Sequence, residues 1–474
     1  MAQKITIEPV TRIEGHARVT IHVNDAGQVE RAYFHVDQFR GFEKFCEGRM
    51  FFEMPVITPR ICGICPVSHH LASAKACDML VGVEPPRPAA LLRELMHMGQ
   101  YIQSHSMHFF HLAGPDLVFG FDADPAIRNV VGIIEANPEL ALKAVKLRKY
   151  GQEIIRIVGG RRIHPRFAVP GGVNKALTKQ ERDELLAPID EMIGYMQEGL
   201  ALAKQWLEAN QELVQRFANF KSGYMGLVNP ETGDLELYDG MVRVIDREGK
   251  LLAQFDGRHY LDYIAEHVED WSYLKFPYYK KLGWPGGVYR VAPLGRLNVS
   301  DGISTPLANE EFKKFKALAE GPVEPSLYMH YARLIEDIYA AERARELLED
   351  PDITSTDIIT ESNIITGEGV GVIEAPRGTL FHHYQTDENG QLTKVNLIVA
   401  TGNNNWAMSH SVDMVAKDFV DPKNLTEGML NRVEAAIRAY DPCLSCSTHA
   451  IGQMPLIIEV RGPDGELINY VKRD

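Results

Sequence analysis

Two Cys-x-x-Cys pairs stand near opposite ends of this 474-residue chain, Cys62-Gly-Ile-Cys65 and Cys443-Leu-Ser-Cys446. Each is followed closely by a histidine, His69 after the first and His449 after the second. Cysteine ligates as thiolate, and four sulfurs spaced this way suit a soft transition-metal ion. Only a fold that returns its C-terminal region to its N-terminal region can assemble them. The site would then organise the whole body, unlike a local finger. On ligands alone, a structural four-cysteine zinc site and an iron–sulfur cluster both stay open, although such zinc sites usually take their pairs from nearby loops.

The remaining composition narrows the class. Six cysteines are too few for a disulfide scaffold. A formal charge of −14 with no Lys/Arg block argues against nucleic-acid binding. No run approaches the ~20 apolar residues of a membrane-spanning helix. Met1-Ala-Gln-Lys-Ile-Thr-Ile-Glu alternates like a strand and does not resemble a signal. The expectation is a soluble protein with no membrane span; a partner carrying an export signal would leave the compartment open.

Residues 3–37 alternate in β fashion around Asn24-Asp-Ala-Gly27, which predicts an antiparallel hairpin. Residues 60–80 read as a turn entering a helix. Helical spacing follows over 86–112, 138–158 and 178–219, the last either continuous or broken at Ala187-Pro188. Turn signals in 229–257 predict a small inserted sheet, and 258–303 reads as irregular. Helix returns at 308–349 and 424–439, with strands between, over 369–400, on both sides of Glu374-Ala-Pro-Arg377-Gly. The fold class is mainly α with β excursions (α+β). One domain over 1–449, with 229–257 as its insertion, would be followed by a short extension, 450–474, reading as a β-hairpin around Gly462-Pro-Asp-Gly.

The longer strings around the cysteines, Arg60-Ile-Cys62-Gly-Ile-Cys65-Pro-Val-Ser-His69 and Asp441-Pro-Cys443-Leu-Ser-Cys446-Ser-Thr-His449, resemble the two signature motifs of nickel–iron hydrogenase large subunits. Thr11-Arg-Ile-Glu14-Gly-His16, Arg40-Gly-Phe-Glu43, Gly114-Pro-Asp116, Glu374-Ala-Pro-Arg377-Gly and Val399-Ala-Thr401-Gly-Asn extend the resemblance in family order. Phe381-His-His-Tyr384 and Asn403-Asn-Asn look most like the hydrogenase subunit of cytoplasmic NAD-reducing enzymes.

The resemblance implies a hydrogenase large-subunit fold and a Ni-Fe(CN)2(CO) centre. In it Cys62 and Cys443 bind nickel terminally, and Cys65 and Cys446 bridge nickel to iron. Glu14 would relay the proton from Cys443. Arg377 would hang over the open metal position, gripped by Asp116 and Asp441. Thr401 and the backbone at Pro376 would hydrogen-bond the cyanides, and His69 would donate to a bridging sulfur. Glu43, the Leu397 carbonyl and His449 would hold Mg2+.

The implied reaction is reversible H2 cleavage. Iron–sulfur clusters would lie in a small partner subunit. FMN and NAD would belong to further diaphorase subunits. A maturation protease and metal-insertion chaperones are implied too, the protease cutting after His449. The same site coupled to a deazaflavin or heterodisulfide reductase is the alternative. More distant are a hydrogen sensor and a non-catalytic scaffold like the related subunit of respiratory complex I.

Several residues have a plainer reading. Glu14 could be a solvated strand residue and Arg377 a salt-bridge arginine. His105, His108 and His111 form a stripe that more often means satisfied buried histidines than a relay, and His382-His383 reads the same way. Cys46 and Cys77 read as small core residues. The glycine runs at 283–287 and 367–371 do not follow a phosphate-loop pattern, so no nucleotide site is expected.

Overall fold

A strand runs flush against the helix that begins behind Cys65, and two glycines permit that approach. The computed structural model describes residues 3–38 and 41–446, and the backbone of 456–461 and 467–473. In it, a Cβ on Gly369 would fall 2.1 Å from the Ala76 carbonyl oxygen, and one on Gly371 1.9 Å from that of Ala72. No side chain fits there.

From the N-terminus, β1 (Gln3–Ile7), β2 (Arg18–Val23) and β3 (Val29–His35) form an antiparallel sheet in the order β1-β2-β3. The expected hairpin is β2–β3, turning at Asn24–Gly27. The third strand corrects that expectation. Pro9 lacks the N–H a ladder needs, so the chain leaves the sheet after Ile7 and carries Glu14 away before returning at Arg18.

The helical body comprises α1 (Pro66–Leu80), α2 (Arg87–Met107), α3 (Pro138–Gly159), α4 (Ile189–Ala209), α5 (Ala292–Val299), α6 (Tyr328–Glu349), α7 (Asn405–Phe419) and α8 (Glu427–Arg438). α2 packs on α3 and α6, and α6 packs on α4. α2 does not stop where expected: a π-helical turn, His108–Ala113, passes it into Gly114–Phe119 and re-aims Asp116. The break at Ala187-Pro188 is present, and a second falls at Asn210.

The inserted sheet is larger than 229–257. β4 (Gly223–Val228), β5 (Met241–Ile245) and β6 (Leu251–Phe255) are joined by the short parallel strand β9 (Tyr289–Arg290) in the order β9-β4-β5-β6. The segment 258–303 is not irregular: β7 (Ile264–Glu269) and β8 (Ser272–Tyr279) make a hairpin, and α5 follows. Pro277 inside β8 hides the strand pattern. Helix 308–349 is two helices, Pro306–Lys316 and α6, separated where Gly321-Pro322 and Pro325 forbid continuation.

α7 stands where the sequence pattern predicts no helix. Its buried face carries Ser411 and Asp413, the latter accepting the Ala32 N–H at 2.8 Å, so polar residues mask the helical period. β10 (Glu368–Ala375), β11 (Gly378–Thr386) and β12 (Leu392–Ile398) form the sheet on α1, and β10 and β11 are joined by the two-residue turn Pro376-Arg377. In the tail, β13 (Leu456–Arg461) pairs with β14 (Leu467–Arg473), the expected hairpin. Among the described residues no helix is long and apolar enough to cross a membrane.

Gly371→Ala should push β10 off α1. Overpacking typically costs about 1–3 kcal/mol, so the midpoint of thermal unfolding of the purified protein should fall by several degrees. An unchanged midpoint would show that the strand can shift without loss.

Candidate metal centre

Both cysteine pairs sit on tight turns whose backbones present sulfur inward. Cys62 closes the 3-10 turn Thr58–Ile61, and the N–H groups of Ile64 and Cys65 each donate to its sulfur at 3.2 Å. Pro66 follows at the first position of α1, where its fixed φ suits a helix start. The second pair lies on the turn Leu444–Cys446, entered through Asp441 at φ 52°.

The excursion from β1 reaches this turn. Glu14 pairs with Cys443 as a parallel bridge, and the Leu444 N–H donates to the Glu14 carbonyl at 3.1 Å. Gly15, at φ +87°, is required: its Cβ would lie 2.8 Å from the Leu444 Cβ and 2.9 Å from the Ser445 nitrogen.

All four sulfurs lie within 4.8 Å of one another, and all four cysteines are buried. Cys443 and Cys446 are 2.8 Å apart, Cys62 and Cys443 3.1 Å, Cys65 and Cys446 3.4 Å, and Cys65 and Cys443 3.9 Å. These separations exceed the ~2.05 Å of a disulfide. Burial pushes the Cys443 and Cys446 thiols well above their usual range. Cys62 falls well below it: burial opposes ionisation there, but hydrogen bonds from the neighbouring thiols outweigh it. The cluster thus gives up its first proton readily and resists losing more. Bound cations supply the missing compensation.

Glu14 is half-buried, and one carboxylate oxygen lies 3.0 Å from Cys443 Sγ while accepting the Ser445 N–H at 3.1 Å. Arg377, at the tip of the β10–β11 turn, is 2% exposed and donates to Asp441 at 3.0 Å. Its Nε and Nη1 are buried with no acceptor among the described residues, and Asp441 Oδ2 is buried with no donor among them. Arg377, Thr401 and His69 line the same small cavity as Cys65, Cys443 and Cys446. Thr401 Oγ1 accepts the Cys443 N–H at 3.0 Å. Four soft donors, a buried cation with open N–H groups and a carboxylate on one sulfur fit a transition-metal centre with anionic or polar co-ligands.

Comparison with known proteins agrees. A family model described as nickel-dependent hydrogenase matches residues 40–128 and 238–449, and one described as HoxL-like matches 4–39. The chain is 47% identical to the beta subunit of the NAD-reducing hydrogenase HoxS of Cupriavidus necator, with 99% of each chain covered. It is 46% identical to a chain of the F420-non-reducing hydrogenase of Methanothermobacter thermautotrophicus, over 99% of this chain and 100% of that one. The crystal structure of an NAD+-reducing [NiFe]-hydrogenase in the H2-reduced state superposes with a TM-score of 0.92 at 44% identity, covering 94% of this chain and 99% of that one.

The chain belongs to the nickel-dependent hydrogenases. It is a nickel–iron catalytic (large) subunit, and the four cysteines are its metal site.

Within this hydrogenase chain, Asp116 stands elsewhere than expected. It binds Arg12 at 2.5 Å, Arg438, and Asn431 at 3.0 Å, and not Arg377; among the described residues Asp441 alone pairs with that arginine. The π turn aims Asp116 at α8, where two guanidiniums draw its carboxyl below the usual range although burial opposes them. Of the expected magnesium ligands, Glu43 and Leu397 meet: the Leu397 N–H donates to Glu43 at 2.7 Å. His449 lies outside the described residues. Burial raises Glu43 to about 7, so a nearby cation would stabilise its charged form.

The Glu374-Ala-Pro-Arg377 motif contributes to a cage behind Arg377, but no motif or spacing points to its centre, Arg296, or to Glu336. Arg296, fully buried on α5, binds Glu336 through two bonds of 2.7 Å and Glu374 at 2.8 Å, and donates to the carbonyls of Ala375 and Pro376 at 2.9 and 3.0 Å. Pro376 therefore anchors the turn through its carbonyl. His105 joins this cage through Glu336 at 2.9 Å, and His108 donates to the Arg438 carbonyl at 2.8 Å, so each is anchored through Nε2 as a buried structural histidine. Burial raises the thiols of Cys46 (to about 12) and Cys77, which leaves both protonated.

Cys65→Ser should abolish nickel retention, because a hard hydroxyl replaces a soft sulfur donor. Elemental analysis of the purified variant checks this. Full nickel content in the variant, or zinc as the sole metal of active wild-type protein, would overturn the assignment.

Proposed function

We propose that this subunit cleaves H2 heterolytically and reversibly, H2 ⇌ 2H+ + 2e−, with Glu14 carrying the proton away from Cys443. The observation that bears most weight is the 3.0 Å contact between the Glu14 carboxylate and Cys443 Sγ. When bound, the Ni-Fe(CN)2(CO) centre supplies the electron-pair acceptor of the reaction and the first station for the electrons. The protein supplies the base. Glu14 is half-buried whereas Cys443 is buried, so a proton passing from sulfur to carboxylate moves toward solvent. The Ser445 N–H holds the accepting oxygen in place.

Arg377 remains protonated in this scheme, since Asp441 and the cysteine sulfurs raise its pKa well above the usual range despite burial. Its role is electrostatic: a fixed positive charge aimed into the cavity where negative charge develops. Thr401 steadies the Cys443 backbone and keeps its own O–H for a cyanide. Glu43 and Leu397, with His449, would hold Mg2+, for which a carboxylate and a carbonyl are ordinary donors.

Electrons must leave through another chain. The two cysteines outside the centre are buried and separate in sequence, which supplies no cluster ligands. An iron–sulfur small subunit takes the electrons on, and flavin-bearing subunits pass them to NAD+, a reading supported by full-length similarity to the NAD-reducing relative. A second reading, the same site serving a heterodisulfide reductase, draws on the 46% identity to the F420-non-reducing relative.

Glu14→Gln should retain nickel and iron but lose H2/D+ exchange, because the amide keeps the shape and cannot cycle a proton. Near-normal exchange would show that the proton leaves elsewhere. For the acceptor, purified complex should reduce NAD+ with H2. Reduction of other acceptors with none of NAD+ would favour the second reading.

A further inference from the structure

The helix behind Cys65 and the strand behind Arg377 carry a matched ladder of polar side chains that the reaction scheme leaves unused. His69 and Ser73 stand four apart on α1, a rise of about 6 Å. His382 and Tyr384 stand two apart on β11, a rise of about 6.6 Å that places both on one face. The near-equal spacings let two rungs form. His69 Nδ1 lies 3.1 Å from His382 Nε2, and the Tyr384 hydroxyl lies 3.0 Å from Ser73 Oγ. A rail joins them, His382 Nδ1 to the Tyr384 hydroxyl at 2.6 Å. His383, on the opposite face, turns instead to Tyr260 and Glu368.

Every side chain of this ladder is buried. His97, His105, His108 and His330 are buried too, and each leaves its Nδ1 without a partner among the described residues. His382 has both ring nitrogens engaged, which fixes its ring and couples its tautomer to that of His69.

The polarity follows from chemistry at the open end. Metal-bound thiolates only accept hydrogen bonds, so a histidine facing them must present an N–H. With Nδ1 committed to His382, Nε2 is the nitrogen His69 has left for the cavity lined by Cys65 and Cys446. A neutral imidazole carries one N–H, so His69 Nδ1 is then the acceptor. His382 donates to it from Nε2 and accepts from the Tyr384 O–H at Nδ1. Tyr384 is the donor toward Ser73 Oγ as well, at 3.0 Å, and its single proton goes to the shorter contact, His382 Nδ1 at 2.6 Å.

We propose that His382 is a positioning residue that, with Tyr384, fixes the Nε2–H tautomer of His69 and so keeps one hydrogen-bond donor on the cysteine cluster. This rests on the assignment of the cluster as the nickel–iron site. A hydrogen bond withdraws electron density from sulfur; its loss leaves the iron richer and strengthens back-donation to CO.

The test uses the purified complex with His382→Phe, His382→Gln and Tyr384→Phe, compared by nickel content, the infrared CO and cyanide bands, and H2 oxidation rate. His382→Phe should keep nickel, shift the CO band to lower wavenumber and lower turnover about 10–100-fold, the usual effect of removing an outer partner of a ligand. His382→Gln, whose amide can both donate and accept, should restore bands and rate toward wild type. Tyr384→Phe removes a single oxygen and should shift the CO band the same way by less. If His382→Phe fails to assemble, Tyr384→Phe decides alone. Unshifted bands at full nickel content, or equal shifts in the Phe and Gln variants of His382, would overturn the proposal. Wild-type complex lacking CO and cyanide bands would instead overturn the metal-site assignment on which it rests.

Discussion

Four sulfurs confined within 4.8 Å in a buried cavity repel one another once ionised, and much of the surrounding structure answers that repulsion. Without cations the cluster holds most of its protons, since burial and neighbouring charge both oppose ionisation. Arg377 is the described positive group closest in role, its guanidinium buried between Asp441 and the cysteines. A single guanidinium cannot neutralise four thiolates. The centre is therefore built to be completed by metal, with binding and deprotonation linked.

That requirement explains the rigidity around Arg377. A buried guanidinium whose Nε and Nη1 meet no acceptor among the described residues is costly unless its geometry is imposed, and Arg296 imposes it. By grasping the carbonyls of Ala375 and Pro376 while neutralised by Glu336 and Glu374, Arg296 turns the β10–β11 connection into a fixed mount. On the other side, the glycines of β10 bring the same sheet onto α1 at backbone contact, so Arg377 and the first cysteine pair share one scaffold. The second pair reaches them on its own turn, locked to the N-terminal excursion by the Glu14–Cys443 bridge and by Gly15.

The elements most legible in the sequence are those whose burial follows one clean period. α3 and α8, and the strands flanking Glu374–Gly378, lie close to where spacing puts them. α7 is hidden because Ser411 and Asp413 face inward to meet Tyr440 and the backbone of β3. The hairpin β7–β8 is hidden by Pro277 and by an aromatic cluster around Trp271 and Trp284 whose packing has no sequence period. The long helix expected over 308–349 fails at prolines that are visible but outweighed by helical composition on both sides.

The cysteine pairs, their spacing and the motifs around them determined by themselves that a soft-metal centre must join the two ends of the chain. Ligand identity is local chemistry, written in residue type and short spacing. Tertiary structure alone decided who stands behind each ligand. Asp116 serves Arg12 and Arg438 because a π turn re-aims it; Arg296 holds the Arg377 turn from a distant helix; and His382 meets His69 because a helical rise of four residues matches a strand rise of two. Those partnerships depend on how elements pack on each other. No spacing along one segment encodes them.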